Sequence, residues 1–67
     1  MESYPELSKK ELNVLRCWAV GQTDEMTADQ LGLSIEHVIA NGKRACFLLR
    51  AKSEAHAVAN AIRAGLI

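Results

Sequence analysis

The chain has 67 residues, with 8 Lys and Arg against 8 Asp and Glu, and so no formal net charge at neutral pH. A chain this short is one domain at most, and it buries only roughly 60% of the surface its unfolded form exposes, so a thin core must be held by close helix packing. No apolar run approaches the ~20 residues that span a bilayer, and Cys17 and Cys46 lack both metal-ligand and disulfide-framework spacing, which leaves two buried or half-buried thiols in a cytoplasmic protein as the expectation.

Residues 1–6 read as a short polar arm containing Pro5, ahead of a domain over 7–67. Ser8 with Glu11 three residues later forms a capping box, and Leu7 and Leu12 stand where a hydrophobic staple would pack. Leu12, Leu15, Trp18 and Ala19 then recur at helical spacing as far as Gly21, which predicts a first helix over about 8–20. Thr23 is the next cap, with Asp24 and Glu25 in the first turn, where the helix dipole favours acids. Gly32 stops this short helix, about 24–31. Ser34 caps a third helix over about 34–49, and Ser53 opens a fourth over about 53–65, which Gly65 ends. Leu66 and Ile67 are expected to fold back on the core. The result is an all-α, four-helix domain whose second and third helices and intervening turn have the form of a helix-turn-helix.

Several segments carry a family resemblance. Leu7–Ser8–Lys9–Lys10–Glu11 is similar to the opening motif of LuxR/GerE-type domains. Ala28–Asp29–Gln30–Leu31–Gly32–Leu33–Ser34 resembles the family's A-x-x-L-G-(I/L)-S segment, and Ala64–Gly65–Leu66–Ile67 resembles its G-L-I end. The matches run in order from Leu7 to Ile67 without a gap. The resemblance implies a DNA-binding transcription regulator. Its 34–49 helix would enter the major groove of double-stranded DNA, and the last helix would pair two copies or pair this chain with another LuxR-type regulator.

The departures from the family pattern fall mainly in the third helix. Ile39, Ala40 and Asn41 stand where the family carries a lysine-like residue, a polar residue and a histidine. Phe47 and Leu48 replace basic residues, Arg50 replaces a glycine, and Glu25 replaces a common basic residue in the second helix. The expected DNA-facing positions are Lys43, Arg44, His37, Asn41, Ala40, Thr23, Ser34 and Lys52. Lys43 either faces the groove or is a solvated lysine, and Arg44 either reaches phosphate or is a plain surface charge. His37 is either a donor to DNA or a plain surface histidine. Asn41 either pairs with adenine or braces the fold. Thr23 and Ser34 cap helices whose N-termini also suit phosphate. Gly42 either admits a close backbone approach or is simply tolerated at about 1 kcal/mol. Ile35, Ile39, Cys46 and Phe47 lie close to one side of the helix, so some are expected in the core. Ile39 and Phe47 are either an exposed patch for a protein partner or buried by a local shift of register. The partner-facing set is Ala57, Ala61, Leu66 and Ile67.

Charge is divided along the chain. Lys9, Lys10 and Arg16 against Glu2, Glu6, Glu11, Asp24, Glu25 and Asp29 leave residues 1–33 at −3. Lys43, Arg44, Arg50, Lys52 and Arg63 against Glu36 and Glu54 leave residues 34–67 at +3. A local positive patch, not a positive total, is what phosphate requires. His37 and His56 have no nucleophile or carboxylate arranged with them as in an enzyme, no metal or cofactor motif is present, and no small-molecule ligand or membrane is expected. Two functions follow: a DNA-reading regulator, or a stand-alone partner of a LuxR-type regulator that acts as an anti-activator without reading DNA.

Overall fold

The structure, a computed structural model, describes residues 6–67. The expected arm over 1–6 therefore lies outside the described residues except for Glu6. Four helices follow in order: α1 Lys9–Ala19, α2 Asp24–Leu31, α3 Ile35–Leu48 and α4 Glu54–Arg63. Each begins at the hydroxyl residue that the sequence marks. Ser8, Thr23, Ser34 and Ser53 each accept a hydrogen bond from the backbone N–H three residues on, which satisfies one donor that a helix start leaves open. At Ser8 the capping box is complete, because Glu11 Oε1 accepts from the Ser8 N–H at 2.8 Å.

The ends share a second device. After α1, the Gln22 N–H donates to Cys17 O and the Gly21 N–H to Trp18 O. After α3, Ala51 donates to Cys46 O and Arg50 to Phe47 O, and after α4, Leu66 donates to Ala61 O and Gly65 to Ile62 O. Each pair closes a Schellman turn around a residue of positive φ. At α1 and α4 that residue is glycine, but at α3 it is Arg50, with φ 55°.

Two apolar clusters hold the helices. Leu7, Leu15, Ala45, Leu49, Ala57 and Ala61 form the larger, with Leu12, Cys46, Leu66 and Ile67 packed on it. Val14, Ala28 and Val38 form the smaller, under Leu31 and Leu33. The half-buried Trp18 touches both. α1 packs against α3 and α4, and α2 packs against α3, so α3 is supported from behind along its length. The expected fold-back of Leu66 and Ile67 is present. So are the two free thiols: Cys17 is buried and Cys46 half-buried. Burial, and then the charge of Glu54, push the Cys46 thiol pKa up, which keeps it protonated and unreactive near neutral pH.

The core side of α3 is Val38, Gly42, Ala45 and the following Leu49, all buried. This decides between the alternatives for the apolar residues beside them. Of Ile35, Ile39, Cys46 and Phe47, only Cys46 joins the core, at its edge. Ile35 and Ile39 are 42% and 40% exposed, and Phe47 is 81% exposed. The register has not shifted to bury them, because α1, α2 and α4 all lie on one side of α3 and the line Val38–Gly42–Ala45–Leu49 already faces them.

Candidate nucleic-acid interface

The outward face of α3 follows from its inward one. At 100° per residue, Glu36, Ala40, Lys43 and Phe47 fall within a narrow strip opposite the buried line, and all four are exposed. Ile35 and Ile39 form one shoulder of that strip. Arg44 and His37 form the other. The strip thus holds one acid, one cation, one small residue and one aromatic ring.

Lys43 stands on the strip itself, with no carboxylate in ion-pair range among the described residues. Ala40 is exposed between Glu36 and Lys43. Arg44 is less available than expected: its Nε lies 2.9 Å from Oε2 of Glu11, a carboxylate with only 4% side-chain exposure. The guanidinium thus has a partner on α1, while the side chain remains largely in solvent, where such a pair contributes little. His37 is exposed, and its backbone N–H is taken by the Ser34 hydroxyl. Asn41 is half-buried, and its Nδ2 donates to His37 O at 2.8 Å. That solvent-exposed bond lies within α3, four residues apart, and leaves Oδ1 of the amide uncommitted to it. Thr23 and Ser34 spend their hydroxyls as caps. Lys52 is exposed beyond the end of α3, its backbone N–H held by His56 Nδ1 at 3.0 Å.

The structure therefore places Lys43 and Ala40 on the outward strip and His37 and Arg44 on its shoulder, leaves Lys52 in the turn after α3, and engages Asn41 and Arg44 in contacts within the chain. Gly42 has a definite reason. A Cβ built there would sit 2.5 Å from Cη2 and 2.6 Å from Cζ2 of Trp18, so the close approach that glycine permits is to an indole ring. The same ring donates from Nε1 to Asp24 Oδ1 at 3.2 Å, which ties the start of α2 to α1 and α3. Neither the Glu11–Arg44 pair nor this Trp18 junction has a local signal, because each joins residues on different helices.

The partner-facing expectation also changes. Ala57 and Ala61 are completely buried in the chain's own core, so neither offers a surface. Leu66 and Ile67 are half-buried against the same cluster. The large apolar residue that α4 does expose is Ile62, at 56%.

An outward third helix braced by a short second one, on a four-helix scaffold, defines a helix-turn-helix domain. The chain belongs to the luxR family of bacterial regulatory proteins, whose pattern it matches over residues 5–61. No curated protein is significantly similar to it. Among the described residues no helix is long and apolar enough to cross a membrane, and no cluster of side chains is arranged to hold a metal ion.

Proposed function

We propose that this domain is a DNA-binding transcription regulator module that inserts α3 into the major groove. One observation carries the reading: the helix after the Gly32 turn is mounted outward on three others, with Lys43 and Ala40 on its free strip. In such a pose α2 crosses the phosphate backbone, and α3 meets base edges with its N-terminal part. Lys43 and Lys52 supply charge to phosphate, and His37 adds a donor at the first turn. Two copies pair through the outer side of α4, where Ile62 is exposed, so that two α3 helices meet two half-sites.

A titration with duplex DNA at low salt, followed by amide NMR, tests this. The expected result is perturbation of residues 34–50, with Lys43→Ala lowering affinity and reducing the salt slope by about one unit. Titration without change in that segment removes the reading.

A second reading is supported by Ile39 and Phe47 on the exposed face of α3 and by Glu25 in the first turn of α2. In it the chain pairs with a full-length regulator of its family through α4 and contributes a poor DNA reader to the mixed dimer, acting as an anti-activator. Co-purification with such a regulator, together with loss of that regulator's operator binding, is the expected result.

A further inference from the structure

The reading above assigns α3 to DNA, yet it gives no role to the apolar residues on that face. We infer that α3 is also a self-association surface: two copies of the chain pair their third helices antiparallel, and this pairing excludes DNA. The argument starts from spacing. Glu36 and Lys43 are seven residues apart in one helix, so they lie within about 20° of one line and about 10 Å apart along the axis. Both are exposed, and neither has an ion-pair partner among the described residues.

A two-fold axis between Ile39 and Ala40 sets Glu36 of each copy against Lys43 of the other, twice. The same operation brings the two Ile39 side chains together on one side of the seam and the two Ala40 methyls together on the other, where small side chains let two helices approach closely. It carries Phe47 just beyond the first residue of the second copy's α3, at the turn that precedes that helix. The Ile35–Ile39 shoulders of the two copies then fall on the same side and extend the apolar contact. A self-complementary patch of this kind is what a two-fold dimer requires. The chain's zero net charge removes the general repulsion between copies.

One helix face per copy is small beside the ~800 Å² per partner of stable complexes. The dimer is therefore transient and concentration-dependent. Because Lys43 and Ala40 are buried in it, self-association and DNA insertion compete for one surface. Such a contact would hold the domain silent in the absence of an operator.

Charge reversal tests the pairing. Glu36→Lys and Lys43→Glu each place like charges opposite one another, and each is expected to weaken self-association at least about tenfold in sedimentation equilibrium. Equimolar mixing of the two variants restores both contacts, so the mixture should associate at least as strongly as the wild type. Phe47→Ala should weaken the wild-type dimer without altering the helical circular dichroism. The inference is overturned if the single variants associate like the wild type, if the mixture stays monomeric, if dilution shifts fall on α4 instead of α3, or if the chain is monomeric alone and binds only a full-length regulator. The outcome is separable from that of the DNA reading: self-association of the wild type through α3, with no response to duplex DNA even in the non-associating Glu36→Lys variant, leaves this inference standing and removes the regulator reading. DNA binding by a strictly monomeric α3 does the reverse.

Discussion

Arg50 is the residue at which the chain departs most plainly from what its backbone wants. Its φ of 55° lies in the left-handed region, which costs an L-residue roughly 1–2 kcal/mol and glycine little. The Schellman turn it closes is otherwise intact. Arg50→Gly relieves that strain, while the greater freedom of glycine in the unfolded chain offsets about 0.5–1 kcal/mol. The expected net is a stabilisation of about 1 kcal/mol, or about 4–8 °C in the melting temperature of a domain this size, measured by thermal denaturation. Gly42 behaves in the opposite sense. Alanine gains about 1 kcal/mol of helix propensity, but its Cβ would press into the Trp18 ring. Since the ring is also held by Asp24, it has little freedom to retreat. Gly42→Ala is expected to lower stability by about 1–2 kcal/mol, and to shift the fluorescence of the single tryptophan as the indole moves.

At the scale of elements, the sequence marks its helices because their boundaries are set by local chemistry. Four hydroxyl caps and the capping box are written within three residues of the bonds they make, and observed bounds fall within two residues of the expected ones. What joins one helix to another is not written locally. Glu11 reads as half of a capping box, and it is one. Its second oxygen holds Arg44, 33 positions later, and nothing near either residue announces this. The two roles are separable by mutation. Glu11→Gln keeps an acceptor for the Ser8 N–H and loses only the charge facing Arg44. Glu11→Ala loses both. The expected order in chemical denaturation is wild type, then Gln, then Ala, with the full loss at about 2 kcal/mol. Equal loss in both variants would mean that the ion pair, not the cap, carries the whole effect. The alanines of α4 teach a related lesson. Ala57 and Ala61 look like a pairing stripe in one dimension because small residues suit both a dimer seam and a tight core. Only the packing of α4 against α1 and α3 decides between them, and it buries both.

The whole molecule carries its charge unevenly, and this bears most directly on function. The negative half, residues 1–33, includes α2, the element that meets the phosphate backbone in the proposed pose. Asp24 is occupied by Trp18, whereas Glu25 is exposed in the first turn. An acid there favours the α2 dipole by about 0.3–1 kcal/mol, but it repels a phosphate brought to the same helix end. Fold and DNA affinity therefore pull this position in opposite directions. Glu25→Lys should reduce thermal stability slightly and strengthen binding to duplex DNA. The affinity gain should be about tenfold at low salt, and the dependence of log K on log salt should steepen by about one unit, as expected for one added phosphate contact. Filter binding across a salt series measures both. An unchanged slope would place the start of α2 away from phosphate, so that the standard docking of a helix-turn-helix would not apply to this chain. A gain in affinity with the steeper slope would show that the domain still approaches DNA in the family's orientation, and that its weak point is charge rather than shape.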